Sequence, residues 1–198
     1  KTVFRLPHAD LRVSGTVSYD GNAIELDGAR GGQAHLHGTK HANRWTWTHC
    51  NDFTGEDGSP REDTFFEGVS VFVPRFGREI GPNTPIVARI EGEDFIATAP
   101  WHVTRTQSTF ELTKWRCEAA ANGRRLVIEV DAPPASLCGV TYHDPDGQEA
   151  YCYNSEVAMM RLEVYDKGGA LRDVLVSDRA HFEYAQRSKL DGVELLTT

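Results

Sequence analysis

Asx-Gly pairs punctuate this chain at Asp20-Gly21, Asp27-Gly28, Asp57-Gly58, Asn122-Gly123, Asp146-Gly147 and Asp191-Gly192. Each pair accepts a positive φ at little cost, which is what tight hairpin turns require. Between them, side chains alternate. Leu11, Val13, Val17 and Tyr19 are interleaved with Arg12, Ser14, Thr16 and Ser18. Leu126, Ile128 and Val130 alternate with Arg125, Val127 and Glu129, and Met160, Leu162 and Val164 with Arg161 and Glu163. Period two marks half-buried antiparallel strands. Further strands are expected over 22–27, 33–37, 44–52, 64–73, 85–91, 94–98, 109–119, 137–143, 149–155, 170–176 and 180–187. The polar stretch 51–63, with Gly55, Gly58 and Pro60, reads as a mobile loop, and 99–108 as the place for a helical turn. Many short strands between turn signals make a sandwich or a barrel. Trp45, Trp47, Trp101, Trp115, Tyr142, Tyr151 and Tyr153 lie among strands with polar partners, which favours a barrel around a ligand cavity. The expectation is one all-β antiparallel domain over 1–198, a barrel or strongly curved sandwich with little helix.

A net charge of −8 and a pI near 5.5 argue against a nucleic-acid binder, which needs a basic face. No apolar run approaches the ~20 residues of a transmembrane segment. The cysteines Cys50, Cys117, Cys138 and Cys152 contain no C-x-x-C pair, which removes zinc-ribbon and thioredoxin-type readings. Buried free thiols in a reducing compartment, hence the cytoplasm, are the expectation.

The densest chemistry lies between Gly28 and Phe53. Side-chain alternation puts Gln33, His35 and His37 on one face of a strand, and Trp45, Trp47, His49 and Asn51 on one face of the next. With both faces turned into a barrel, two indoles would form an apolar wall beside several imidazoles able to move protons near neutral pH. Glu67 shares parity with Phe65, Val69, Val71 and Val73. Desolvation in such a strand would favour the neutral, proton-donating carboxyl, whereas at an edge Glu67 would simply meet water.

The pattern Gly28-x-Arg30-Gly31-x-x-x-His35-x-x-Gly38, followed by Trp45-x-Trp47-x-His49-x-Asn51-x-Phe53, resembles the superfamily of carotenoid 1,2-hydratase (hydroxyneurosporene synthase), tocopherol cyclase and the fungal decalin-forming Diels–Alderases. The likeness is strongest over 10–53 and continues through Tyr151–Glu156 and His181–Arg187. His37 stands where that group often carries Trp, which alters the expected cavity wall. The resemblance implies a lipocalin-like (calycin-type) fold, and one half, the C-terminal one, of a protein with two such halves. An N-terminal lipocalin-like domain or a second copy would then be its partner. It also implies a cofactor-free cyclase, hydratase or isomerase acting on a large hydrophobic isoprenoid or polyketide alkene. His35, His49 and Glu67 are the candidate catalytic residues. His37, Trp45, Trp47, Asn51, Trp101, Tyr142, Tyr153 and Asn154 are the candidate cavity wall for that hydrophobic small molecule. Aromatic faces would stabilise a developing carbocation by roughly 0.5–2 kcal/mol per ring.

Each of these residues also has a structural reading. Trp45 and Trp47 are large enough to be core, and Tyr142–Gly147 is first of all a turn. Asn154 and Glu156 either line a barrel or form an exposed row. His35-x-His37 with His41 and His49 is a usable zinc spacing, but no carboxylate stands where a cupin-type site needs one. No metal and no cofactor are expected. Two further readings are a non-catalytic carrier of a hydrophobic small molecule, and a structural half whose pocket lies at a domain interface.

Overall fold

Alternation does commit the chain to antiparallel sheet. The computed structural model describes residues 2–196, and strand makes up 70% of it against 4% helix. β1 (Thr2–Tyr19) and β2 (Asn22–Gly38) form a two-stranded hairpin of their own. The larger sheet begins with β3 (Arg44–Cys50), β4 (Phe53–Gly55), β5 (Pro60–Arg61), β6 (Phe65–Arg75) and β7 (Arg78–Asn83). β8 (Ile86–Ile90) and β9 (Glu93–Ala97) lead into the one-turn helix α1 (Pro100–Val103), inside the window expected for it. β10 (Gln107–Glu111), β11 (Lys114–Ala121), β12 (Arg124–Asp131) and β13 (Cys138–His143) follow. The long strands β14 (Glu149–Tyr165) and β15 (Leu171–Gln186) and the short β16 (Leu195–Leu196) complete the order.

The sheet runs β10-β11-β12-β14-β15-β3-β6-β8-β9. Every pairing is antiparallel except the two-residue contact of β13 with β16. The path curls until β9 approaches β11, but no ladder joins its ends. Of the two expected forms, a barrel or a strongly curved sandwich, the sheet takes the open, curved one. The enclosed side carries the core, with Phe66, Phe95, Trp115, Ile128, Tyr153, Leu162, Phe182 and their neighbours. Phe66 and Trp115 meet with ring centroids 6.0 Å apart, and a Cβ on Gly68 would lie 2.7 Å from atoms of both rings. Ser70 bonds to Thr84 at 2.7 Å and to Ser108 at 2.8 Å, and the Trp115 indole N–H donates to Ser108 at 2.9 Å. These bonds satisfy Ser70, Thr84, Ser108 and the Trp115 indole, whereas the buried Thr46 and Thr48 hydroxyls have no partner.

Most Asx-Gly pairs do close hairpins. Asp27-Gly28 does not. Val13 pairs with Ala29 and Gly15 with Leu26, so Gly28, at φ 66°, takes up a bulge inside one continuous strand. For the same reason 149–155 and 160–164 belong to the single strand β14, and 170–176 and 180–187 to β15. The expected loop at 51–63 contains β4 and β5, joined by a turn at Asp57-Gly58. The expected strand 109–119 is instead two, β10 and β11.

The β1–β2 hairpin leaves both outer edges unpaired and exposes Phe4, Val13, Val17, Tyr19, Ile24 and Leu36. It is fastened to the sheet near its middle. The Asn51 amide donates to the Ala9 and Gly31 carbonyls at 3.3 and 3.0 Å, and Arg30 reaches Asp52 at 3.4 Å. No helix among the described residues is long and apolar enough to cross a membrane.

Overpacking at the point where β6 meets the core should be measurable. Gly68→Ala is expected to lower stability by about 1–3 kcal/mol, read as a reduced urea midpoint at unchanged slope.

Candidate functional site

On β3, Thr46, Thr48 and Cys50 face the core and are fully or almost fully buried. Trp45, Trp47 and His49 therefore face the other way, onto the outer surface of the curl. The sequence reading had the opposite orientation. Each indole carries an N–H that needs an acceptor when buried, and the outer face supplies one for each. Glu183 accepts from Trp45, and Glu67 from Trp47. The compact threonines instead fit the inner face.

Strand register makes this outer face an ordered grid. Val71, Trp45, Ala185 and Cys152 form one row across β6, β3, β15 and β14. Val69, Trp47, Glu183 and Asn154 form the next, and Glu67, His49 and His181 the third. Glu67 is only 5% exposed. Its Oε2 accepts from His49 Nδ1 at 2.9 Å, and its Oε1 takes the Trp47 indole N–H. Both oxygens are thus engaged as acceptors, which makes Glu67 the group that orients His49 rather than a free acid aimed at substrate. His49 Nε2 is buried and has no partner. Above it runs β2, where a Cβ on Gly32 would stand 3.1 Å from that nitrogen. His181 lies beside Trp47, with ring centroids 4.5 Å apart. Its Nδ1 meets Glu156 at 2.8 Å, and that hydrogen bond holds Glu156 below the usual carboxylate range.

The other residues expected at the site are distributed differently. His35 and His37 sit exposed on β2, with their rings 5.2 Å apart, on a sheet separate from Trp45 and His49. Asn51 fastens the hairpin, as described above. Trp101 is 60% exposed on α1. Tyr153 points into the core, where its hydroxyl accepts from the Leu190 amide at 2.6 Å. Asn154 does share the outer face, accepting from the Cys152 thiol at 3.5 Å. Tyr142 belongs to a neighbouring knot that the sequence reading treated as a turn. His41 is stacked between Trp45 and Tyr142, with centroids 5.5 and 5.1 Å away. Its Nδ1 meets Asp144 at 2.6 Å, and Arg187 meets the same carboxylate at 2.7 Å. Burial alone would raise the Asp144 pKa. The His41 amide, the Arg187 guanidinium and the His41 ring together outweigh that and hold it at about 2.

Burial also pushes the Cys50 thiol up to about 11 and raises Cys117 and Cys152 further, so none of these three is poised as a nucleophile. Among the described residues no group of three or more His, Cys, Asp or Glu side chains is arranged to hold a metal ion. A cavity of about 1000 Å3 lies apart from these histidines. Phe110, Trp115, Val130 and Met160 form its apolar floor, and Lys114, Arg116, Glu129 and Arg179 stand among the charged residues around it.

The fold and site together define an open, curled antiparallel sheet with an imidazole–carboxylate–indole cluster on its outer face. Two curated relatives, uncharacterized proteins from two strains of Mycobacterium tuberculosis, are each 30% identical to it over 166 residues. The match takes in 80% of this chain but 48% of theirs, so the chain spans about half the length of the curated relatives it matches. No protein-family model matches the chain, and no solved structure does. Neither relative has a described activity, and the resemblance carried by the Trp-x-Trp-x-His motif gains no support from them.

The Asp144 knot has a definite pH signature. Its folded-state pKa is depressed, so its contribution is complete above the ordinary carboxylate range and is lost as pH falls through about 2. Asp144→Asn is expected to cost about 3 kcal/mol at neutral pH. Denaturant titrations from pH 7 down to 2.5 should show the gap between wild type and variant narrowing below about pH 4.

Proposed function

We propose that this chain is a cofactor-free acid–base catalyst of the cyclase, hydratase or isomerase type, acting on a large hydrophobic unsaturated molecule. His49 Nε2 is its proton-transfer atom. One observation carries the reading: a buried carboxylate, Glu67, holds His49 by Nδ1 and Trp47 by its indole N–H, leaving Nε2 buried and unpartnered. Buried nitrogens without partners are uncommon in native proteins and are concentrated where chemistry is done. A carboxylate on Nδ1 fixes both the tautomer and the orientation of the ring, as in hydrolytic triads. Trp47 and Val69 form the row next to His49 on this face, an apolar neighbourhood that suits a greasy substrate. Gly32 of the hairpin lies over His49 and Asn51 ties the hairpin down there, which keeps water from the imidazole. Unpaired, mostly buried cysteines fit a reducing, cytoplasmic setting.

A second reading has its own observation. The cavity of about 1000 Å3, with its apolar floor and charged surround, suits a carrier of an amphipathic small molecule that does no chemistry. The companion domain implied by the motif is compatible with either reading.

Deuterium uptake separates the two. Purified protein is incubated in D2O with a panel of terpenoid alkenes and ketones, and the recovered compounds are weighed by mass spectrometry. The catalyst reading expects uptake that falls roughly 10²–10⁴-fold in His49→Gln, with the thermal midpoint little changed. Retention of a compound without uptake, abolished by Trp115→Ala and indifferent to His49→Gln, would establish the carrier instead.

A further inference from the structure

We infer that His181 is a second catalytic imidazole, opposed to His49, and that the substrate on which the pair acts is an apolar ketone with an exchangeable α-proton. This rests on the acid–base reading of the outer face and goes beyond it in both residue and substrate class. The two histidines are direct cross-strand neighbours, His181 on β15 facing His49 on β3. Each is held through Nδ1 by its own carboxylate, His49 by Glu67 and His181 by Glu156. Each leaves a buried Nε2 with no hydrogen-bond partner. One orphaned imidazole nitrogen can be an accident of packing. Two of them side by side, one as the neutral ring and the other as the imidazolium, make a base and an acid that share one substrate.

The backbone shows what positions the second carboxylate. Ser155 pairs with Phe182 and Ala158 with Ala180, so Glu156 and Val157 together oppose the single residue His181. The extra residue is a β-bulge, the device by which a strand re-aims a side chain. Ser155 stabilises it by accepting the Val157 amide at 3.3 Å while bonding to Ser136 at 2.6 Å. Glu156 is a positioning residue. Its side chain is 73% exposed, which links His181 to bulk water for proton resupply, whereas Glu67 and His49 are enclosed.

The strength of imidazole as an acid sets the substrate class. Protonating an isolated alkene creates a carbocation, a demand beyond an imidazolium whose ordinary pKa is about 6.5. An enolisable carbonyl lies within reach of such a pair. His49 Nε2 removes the proton from the carbon next to the carbonyl, and the C–H electron pair becomes the enol C=C bond. His181 enters the step as the imidazolium, its second proton drawn from bulk water, and the C=O π pair takes the proton from its Nε2 and becomes the O–H bond. His49 ends protonated and His181 neutral, and the reverse transfer restores both. Where the ketone is unsaturated, return of the proton to the γ-carbon moves the double bond, an isomerisation that consumes nothing else. Trp47 packs against the His181 ring and supplies an apolar wall beside the reacting atoms.

The test has two independent readouts. Long-range 1H–15N spectra of histidine-labelled protein, assigned with His49→Gln and His181→Gln, report the tautomer of each ring without any substrate. The expected result is that both neutral rings carry the proton on Nδ1, and that Glu156→Gln changes the His181 signature alone. Deuterium exchange from D2O into geranylacetone then reports the chemistry. Loss of roughly 10²-fold or more in each histidine variant, with a smaller loss in Glu156→Gln, supports the pair. Wild-type exchange in His181→Gln beside loss in His49→Gln overturns the role of His181 and leaves the single-imidazole reading standing. Exchange unchanged in both variants overturns both. An Nε2-protonated tautomer at His181, the absence of exchange in wild type, or saturable displacement of both Nε2 resonances by equimolar zinc chloride each overturns the inference.

Discussion

The rest of the molecule hangs on the ladder between β14 and β15, its longest pairing apart from the hairpin. Along one half of this ladder β14 is flanked by β13, and along the other by β12. On its far side β15 is flanked first by β3 and then by β4. Both changes of neighbour straddle the irregular stretch between Ser155 and Met160. Two flat ladders of this length would twist apart from a common core, and bulges are the way a sheet gains curvature without losing its pairing. The irregularity at which the sheet curls is also the stretch that carries Glu156, opposite His181. Fold and site share a single backbone feature.

Curling gives the sheet an inside and an outside with different chemistry. The inside carries mostly aromatic and branched aliphatic side chains, with Ser70, Thr84 and Ser108 bonded to one another. The outside carries indoles and imidazoles whose nitrogens are matched to carboxylates. An indole buried inside would need an acceptor there, and Trp115 meets that need with Ser108. Trp45 and Trp47 meet it with Glu183 and Glu67, charged groups that an apolar core would exclude unless they were paired.

Strand class, low helix content and most turns were legible in the sequence because period two and Asx-Gly pairs are local signals. That Trp47 and His49 share a face was legible too, since parity places them together; Glu67 joins them through the β3–β6 register, which parity does not set. Which face turned inward was not. Parity is silent about direction, and size misled: Trp45 and Trp47 looked more like interior residues than Thr46 and Thr48. The fate of His35 was hidden for a different reason. Its strand follows the motif spacing but pairs only with β1, so no local pattern could show that it belongs to a separate sheet. Asp27-Gly28 had the composition of a turn and served as a bulge, because register across the hairpin is set by pairing along its whole length. His181 left no mark beyond its place in the closing run of β15. Only the bulge opposite it, visible in three dimensions, sets it apart.

Alternation on β3 has a consequence for how such a chain can diverge. Thr46, Thr48 and Cys50 answer to the core, while Trp45, Trp47 and His49 answer to whatever sits on the outer face. Neighbouring positions in the chain thus belong to two sets of constraints that barely touch, and substitutions in sets without shared partners add nearly independently. A lineage could exchange the outer triplet for another chemistry while its packing stayed fixed, or repack its interior while the imidazoles held their places. Sequence drift on one side of the strand is then no guide to change on the other.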